Sequence, residues 1–284
     1  MTPVPAWLQP VLSLLSTSTY QCLTCGKRGQ PSKFSPEICV QCAALIPWIR
    51  FPRCSKCGRH VGCPDCTRGT EQSPIVCNRS AVAYNSAMRE WLGQYKYRGN
   101  ERYAPLLGIM LEKAYQMLKE QQMKLQTDDF SKKNHSRLFS SAFHRSPSTN
   151  HWKADLLVPV PVSNSRLGER GFNQAERLSS ELSGRTGIPI QQLLIRTHHT
   201  DKQSFKGRSE RLINMKDAFG PNLTVVNHYT DWLRVRQIRP VRIIIVDDIY
   251  TTGSTIRACA ESIRQMTDTL DFSCEVYSLT WARS

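Results

Sequence analysis

The most informative part of the chain reads Arg242-Ile243-Ile244-Ile245-Val246-Asp247-Asp248-Ile249-Tyr250-Thr251-Thr252-Gly253-Ser254-Thr255. Its aliphatic run, residues 243–246, has β-branched side chains at every position, which predicts a strand buried on both faces of a parallel sheet. Apolar residues at helical spacing from Ile256 to Ile263 predict a helix that begins where the polar loop ends. Strand, polar loop and helix together predict an α/β fold.

Two adjacent acids and a loop rich in hydroxyl groups separate the predicted strand from the predicted helix. A helix N-terminus has free backbone N–H groups and the positive end of a dipole, and both favour a phosphate. Asp247 and Asp248 follow the strand at the edge where open α/β sheets bind ligands, so they can accept hydrogen bonds from sugar hydroxyls. The stretch therefore predicts a ribose 5-phosphate site. The competing interpretation is a solvated acidic turn followed by an ordinary Ser/Thr helix cap.

The same fourteen residues resemble the phosphoribosyl pyrophosphate motif of type I phosphoribosyltransferases. The resemblance implies that Asp247 and Asp248 hold the ribose hydroxyls. It also implies that Mg²⁺ bridges the diphosphate and these hydroxyls, and that the following loop wraps the 5-phosphate. The loop consists of Thr251, Thr252, Gly253, Ser254 and Thr255.

Eight of the eleven cysteines form four C-x-x-C pairs. The pairs are Cys22/Cys25, Cys39/Cys42, Cys54/Cys57 and Cys63/Cys66. Each pair can offer two thiolates to a tetrahedral ion, so four pairs predict two closed, structural zinc sites. The spacing is compatible with sequential pairing and with an interleaved cross-brace. A redox function is disfavoured, because no pair begins a helix in a βαβ context.

A chain of 284 residues with 40% hydrophobic residues permits two domains. Its formal charge of +15 favours polyanionic partners. No apolar run approaches the roughly twenty residues of a membrane span, and the N-terminal apolar segment lacks the charged region and cleavage site of a signal peptide. We therefore expect a cytoplasmic protein, which agrees with cysteines spaced as metal ligands.

Residues 95–100 combine cations with aromatic rings, and this composition can stack bases and contact phosphates. Lys96, Tyr97 and Arg98 are the candidate nucleic-acid contacts in this segment. An equally strong interpretation places the same residues along the edge of a core, with their charged ends in water.

Two further basic segments lack a clear apolar period. Residues 120–152 predict a long, flexible insert that is either simply disordered or a loose polyanion site. Residues 196–216, with Lys202 and Arg208 as candidate nucleic-acid contacts, predict either a mobile flap over a charged substrate or an ordinary basic loop.

Leu156 to Pro161 predict another buried strand, and Asn173 can cap the helix that follows the next loop. That loop lies at a strand's carboxyl end, so Arg166 and Arg170 can clamp a pyrophosphate, because guanidinium groups match phosphate oxygens. Without that context they would be ordinary surface arginines. Further strands are predicted at Ala81–Tyr84, Val225–Val226 and Glu275–Trp281.

Several separated motifs are similar to those of the ComF family. They are the paired cysteines, Lys96–Asn100, Val158–Pro161 with Arg166 and Arg170–Ala175, and the stretch from Gln203 to Phe219. The resemblance implies a type I phosphoribosyltransferase-like parallel sheet flanked by helices, with a small N-terminal double zinc-ribbon domain. The expected organisation is an N-terminal helix at 1–20, a double zinc ribbon at 21–78 and a phosphoribosyltransferase-like domain at 79–284 with its insert at 120–152.

The ComF family is associated with natural transformation, in which imported single-stranded DNA is handled alongside a helicase. The resemblance thus implies a protein of DNA uptake that binds single-stranded DNA and has a Mg²⁺-dependent phosphoribosyl pyrophosphate site. A second hypothesis is an active, amidophosphoribosyltransferase-like enzyme, although no stretch identifies a pocket for the nitrogen acceptor. A third, a zinc-stabilised adaptor with an inactive site, is disfavoured by the intact acids and Thr-Gly loop.

Overall fold

The computed structural model describes most of the chain, with gaps. The described residues are 20–68, 73–97, 99–135, 152–197, 218–234 and 239–284. They belong to two compact units, Met1–Ile46 and Pro47–Ser284, so the cysteine-rich region predicted at 21–78 contributes to both. Apart from Tyr20, the helix predicted at residues 1–20 lies outside the described residues.

The secondary-structure elements are α1 (Val40–Ala44), α2 (Pro64–Arg68), β1 (Asn78–Ala83), α3 (Ser86–Tyr97), α4 (Tyr103–His135), β2 (Leu156–Pro159), α5 (Asn164–Arg170), α6 (Gln174–Thr186), β3 (Leu194–Arg196), β4 (Phe219–Pro221), α7 (Leu223–Arg234), β5 (Val241–Tyr250), α8 (Ser254–Thr269) and β6 (Cys274–Arg283). Strands β3 and β4 form a separate antiparallel pair. No helix in the described ranges is long and apolar enough to cross a bilayer.

Four parallel strands form the central sheet in the order β1-β6-β5-β2, and helices pack on them, as predicted. Strand β2 pairs with β5 only as far as Pro159 opposite Val246. Strand β6 continues along β5 as far as Arg283 opposite Tyr250. The end of β5 therefore extends beyond β2, and Asp247 and Asp248 lie in this extension.

Both faces of the sheet are covered, which explains the continuous aliphatic run of β5. Side chains alternate between the faces of a strand. Ile243 and Ile245 share a buried cluster with Ile256 of α8. On the opposite face, Trp281 of β6 donates its indole N–H to the Met110 sulfur of α4, at 3.3 Å. The buried parallel strand predicted from the sequence is confirmed.

The prediction of an irregular insert from residue 120 is wrong for its first half, because α4 continues to His135. Polar contacts accompany this part of the helix. Gln122 is only 7% exposed, and its Oε1 accepts a hydrogen bond from the Tyr277 hydroxyl at 3.4 Å. Apolar periodicity does not detect such contacts. Residues 136–151 lie outside the described part of the chain.

Local signals gave a second wrong prediction at Val225–Val226, which belong to α7 and not to a strand. The N–H of Val226 donates to the Asn222 carbonyl at 2.9 Å, a helical bond. Two consecutive β-branched residues favour a strand only weakly, and the helical context of Leu223–Arg234 outweighs that preference. The strands predicted at Ala81–Tyr84 and Glu275–Trp281 correspond to parts of β1 and β6.

Candidate functional site

The acid pair of β5 is already engaged by a lysine. Asp248 is 5% exposed, and its Oδ2 forms an ion pair with Nζ of Lys96, in the last turn of α3. The Lys96 side chain is 14% exposed. Asp247 accepts the backbone N–H of Asp248 through Oδ1 at 2.9 Å. Lys96, a candidate nucleic-acid contact from the sequence, is thus the counter-ion of Asp248 in the structure.

More positive than negative charge surrounds the pair. Burial raises the pKa of Asp247 to about 6, although the positive charges of Lys96, Arg170, Arg166 and Arg196 act to lower it. Burial also lowers the pKa of Lys96 to about 8, against the attraction of Asp247 and together with the repulsion of two of these arginines. Two acids therefore share their surroundings with four basic side chains, an imbalance that favours an anionic ligand.

Two of these arginines are carried by α5, in the segment predicted as a loop. Ser163 begins the helix by accepting the N–H of Arg166 on its Oγ at 3.4 Å, and Gly171 ends it in the left-handed conformation, with φ +78°. Arg166 and Arg170 are four residues apart and so lie on the same face of the helix. The helix holds both of the predicted pyrophosphate ligands within electrostatic range of Asp247.

Arg170 has a hydrogen-bond donor that other described side chains do not use. Its Nη1 donates to Oε1 of Gln174 at 2.8 Å, and its guanidinium lies 5.4 Å from the centre of the Tyr97 ring. Its Nε is buried and has no hydrogen-bond partner among the described residues. A buried donor without a partner costs about 1–3 kcal/mol, and an oxygen of a bound anion would remove that cost.

The hydroxyl-rich loop leads directly into α8, as predicted. Gly253 is the N-cap residue, with φ +81° and no side-chain cap. A Cβ at this position would lie 2.2 Å from the Tyr250 hydroxyl, so the position requires glycine for both conformation and space. The side chains of Thr252 and Ser254 are hydrogen-bonded to each other at 3.1 Å. The Ser254 N–H is donated to Oγ1 of Thr252 at 3.4 Å, but Gly253 itself has no side chain that could cap the N–H groups of the first turn, which can bind an anion.

The eight paired cysteines form two groups of four in sequential order. The groups are Cys22, Cys25, Cys39 and Cys42, and Cys54, Cys57, Cys63 and Cys66, and within each group the sulfurs lie within 4.8 Å of one another. Four ligands at a Zn–S distance of about 2.3 Å would place the sulfurs about 3.8 Å apart. Cys25 and Cys39 are 3.9 Å apart at their sulfurs, and Cys57 and Cys63 are 3.4 Å apart. Both groups fit a tetrahedral zinc ion.

The two groups share one type of turn. Gly26 and Gly58 follow their pairs with φ of +68° and +72°, and each donates its N–H to the carbonyl of the first cysteine of the pair, at 2.9 and 3.0 Å. In the first group, burial opposes ionisation of Cys22, but hydrogen bonds from Thr24 and from backbone N–H groups lower its pKa to about 6. Such hydrogen bonds favour the thiolate that binds a metal.

A cavity of about 360 Å³ opens beside the site, among α5, the start of α6 and β3. It is lined by Pro161, Val162, Ser163, Asn164, Leu167, Asn173, Glu176, Gln192, Leu194, Ile195, Arg196 and Thr197. Arg196 joins the cavity to the acid pair, because its charge acts on Asp247. This cavity was not predictable from the sequence, since its lining comes from several separate segments.

The remaining candidate residues are only partly covered by the structure. Tyr97 is 73% exposed at the end of α3. Arg98, Lys202 and Arg208 lie outside the described residues, together with most of the segment predicted as a flap. Sequence reasoning also missed Arg283, which contacts both Cys57 and the loop after β5. No local pattern in the sequence pointed to it.

Comparison with known proteins gives a consistent result, although no model of a known protein family matches the chain. Competence protein F from Haemophilus influenzae is 30% identical over 257 residues, which cover 89% of this chain and 94% of that protein. Competence protein ComFC from Bacillus subtilis is 28% identical over 235 residues, covering 80% and 78%. DNA utilization protein YhgH from Escherichia coli K12 is 25% identical over 233 residues, covering 80% and 90%. The similarity to competence protein F extends over nearly all of both chains, and on this ground the chain belongs to the ComF family.

Proposed function

We propose that this protein binds phosphoribosyl pyrophosphate with Mg²⁺ at the end of β5, and that it uses this site in the uptake or handling of DNA. One observation carries the ligand proposal. An acid pair lies beside a glycine-capped helix start and is surrounded by an excess of basic side chains, one of which, Arg170, has a buried donor without a partner among the described residues.

Each part of the ligand has a matching group. Asp247 and Asp248 would accept the ribose hydroxyls, and the loop and first N–H groups of α8 would bind the 5-phosphate. Arg166 and Arg170 would bind the pyrophosphate through paired N–H donors. Carboxylate oxygens suit Mg²⁺, which would neutralise part of the diphosphate charge. Lys96 would then exchange its contact with Asp248 for ligand oxygens.

Calorimetric titration with phosphoribosyl pyrophosphate and Mg²⁺ tests this proposal. The double variant Asp247→Ala/Asp248→Ala should fold and lose binding. Arg170→Gln should weaken binding at least tenfold, because it removes a charged donor to the diphosphate. Arg177→Gln is the matched control, since Arg177 is about half exposed and pairs with Glu101. Unchanged affinity in the double variant would rule out this site.

The names of the relatives, competence proteins and DNA utilization proteins, support a role in DNA uptake. The net charge of +15 and the exposed ring of Tyr97 beside Arg170 support single-stranded DNA as a ligand, because bases stack on aromatic rings next to cations. A helicase of the uptake machinery is the partner that the family resemblance implies. One zinc ion in each cysteine group and a reducing, cytoplasmic location complete this proposal.

A fluorescent oligonucleotide titrated at two salt concentrations tests DNA binding. Affinity should fall steeply with salt, since phosphate contacts release counterions. Tyr97→Ala should weaken binding about tenfold, within the range for the loss of one stacked base, whereas Tyr97→Phe keeps the ring and should bind normally. Equal affinities for the two variants would exclude stacking at Tyr97.

The cavity beside Arg196 supports a second candidate function, an active phosphoribosyltransferase. Its volume of about 360 Å³ suits a small acceptor molecule, and it adjoins the proposed pyrophosphate ligands on α5. Pyrophosphate release from phosphoribosyl pyrophosphate, measured with and without ammonia as the simplest nitrogen nucleophile, tests this activity. Release that depends on the added amine and is lost in Asn164→Trp, which would fill the cavity, favours the enzyme. Binding without amine-dependent release favours a ligand-binding site.

A further inference from the structure

Arg283, in the last position of β6, is a buried cation that bridges the second cysteine group and the end of β5. The residue is 4% exposed. On one side, its Nε donates to the Cys57 carbonyl at 3.2 Å and its Nη2 to the Cys57 sulfur at 3.5 Å. On the other side, its Nη1 donates to the carbonyls of Tyr250 and Thr251 at 3.1 and 2.9 Å. One side chain thus holds both a proposed zinc ligand and the first residues of the phosphate loop.

The bridge continues to the start of α8 through Tyr250. The Arg283 guanidinium lies 4.7 Å from the centre of the Tyr250 ring. The hydroxyl end of that ring fills the space next to Gly253, where a Cβ would come within 2.2 Å of it. Contacts therefore run without a break from Cys57 through Arg283 and Tyr250 to the N-cap of the helix that would bind the 5-phosphate.

We propose that Arg283 is a positioning residue that couples the Cys54/Cys57/Cys63/Cys66 metal site to the phosphate loop, so that metal retention and ligand binding strengthen each other. The ligand half of this inference rests on the proposed binding of phosphoribosyl pyrophosphate. The coupling between metal site and loop is independent of the ligand's identity.

The charge of a zinc-bound cysteine group explains why metal binding would affect the contacts of Arg283. Four thiolates around Zn²⁺ carry a net charge of −2, and hydrogen bonds from a buried guanidinium stabilise that charge and orient the ligands. Without the metal, the Cys57 sulfur is no longer held by an ion, and Arg283 loses a charged acceptor, whereas the Cys57 carbonyl stays bonded to the Asn78 side chain at 3.1 Å. The Arg283 side chain then holds the Tyr250 and Thr251 carbonyls less firmly. Thermodynamic coupling of this kind is reciprocal.

The wild-type protein provides the first test. Release of its two zinc ions to a coloured chelator is followed with and without phosphoribosyl pyrophosphate and Mg²⁺. The ligand should slow the release of one zinc ion about fivefold or more, and the other should serve as an internal reference. In Arg283→Met, one zinc ion should leave faster, and the ligand should no longer protect it. Equal protection in wild type and variant would overturn the coupling.

Hydrogen exchange of residues 250–256 provides a readout that needs no ligand. These amides should exchange faster in Arg283→Met and in zinc-depleted wild type, and Arg283→Lys should fall between wild type and Arg283→Met, because lysine keeps the charge without the fork of donors. The control is Arg242→Met. Arg242 is equally buried, at 6%, but lies eight residues from Tyr250 along β5, about 26 Å away.

The two readouts separate the possible failures. If wild type does not bind phosphoribosyl pyrophosphate, the proposed function is wrong, and exchange in residues 250–256 still decides the coupling. If wild type binds the ligand but zinc depletion leaves exchange at 250–256 unchanged, the coupling is wrong and the binding site stands. Faster exchange in Arg242→Met as well would attribute the effect to general destabilisation and overturn the specific role of Arg283.

Discussion

Replacing Asp247 with asparagine should stabilise the ligand-free protein. Burial raises the pKa of Asp247 from its ordinary value of 3.8 to about 6, so the ionised carboxylate is disfavoured in the folded state. A shift of about two units corresponds to about 3 kcal/mol at pH 7. Asparagine removes the charge but keeps Oδ1, which accepts the N–H of Asp248. At about 2–4 °C per kcal/mol, Tm should rise by roughly 6 °C or more.

The dependence on pH distinguishes this explanation from a simple packing effect. Above pH 6 the folded wild-type protein carries the full cost of the ionised carboxylate. As the pH falls from 7 towards 4, the folded form takes up its proton first, so the difference in free energy of unfolding between wild type and Asp247→Asn should narrow. Thermal unfolding without ligand at pH 7, 6, 5 and 4, followed by circular dichroism, measures this difference.

The neighbouring acid provides a control of opposite sign. Asp248→Asn removes the ion-pair partner of Lys96, whose side chain is only 14% exposed, and should destabilise the protein by about 3 kcal/mol. An Asp247→Asn variant that is less stable than wild type at pH 7, or a difference that stays constant between pH 7 and pH 4, would refute the conclusion that burial disfavours the ionised Asp247 carboxylate. The same substitution should also abolish binding of phosphoribosyl pyrophosphate, since the proposed ligand requires the charge.

Three further predictions concern the loop, the number of zinc ions and the dependence of the two cysteine groups on metal. Gly253→Ala should lower the free energy of unfolding by about 2 kcal/mol or more and abolish ligand binding, because the alanine Cβ would collide with the Tyr250 ring at a positive φ. Gly168→Ala, in open space on α5, should be neutral or slightly stabilising in the same denaturant titration. Metal analysis should find two zinc ions per chain and one in Cys63→Ser. Limited proteolysis after zinc removal should cut both cysteine groups before the central sheet, since closed zinc sites fold with their metal.

Features with strong local signals were predictable. The buried strand β5, the start of α8 after the polar loop and the Asn173 cap of α6 each depend on a few consecutive residues. The cap signals of α5 were also present in the sequence, as Ser163 and Gly171, although the segment was predicted as a loop. Its shortness and polarity concealed the helix, because no apolar stripe marks it.

Features that depend on distant partners were not predictable. Lys96 and Asp248 come from a helix and a strand far apart in the chain, and neither segment has a sequence pattern that indicates their pairing. The continuation of α4 past residue 120 is another example, since Gln122 meets Tyr277 only in the folded sheet. Hydrophobic periodicity indicates which residues pack against an apolar core, but it does not indicate which polar residues pair with each other. The ion pair between Lys96 and Asp248 was therefore visible only in the structure.

The position of β6 within the sheet has a consequence for the order in which the protein can be made. Strand β1 pairs with β6, and the Ser278 hydroxyl donates to the Asn78 side chain, 200 residues away in the chain. Because β6 lies between β1 and β5, residues 274–283 must be synthesised before the sheet can close. Contacts between residues far apart in the sequence slow folding. Until β6 is available, the strand edges of β1 and β5 that pair with it stay exposed. We therefore expect the nascent chain to bind chaperones until β6 has left the ribosome.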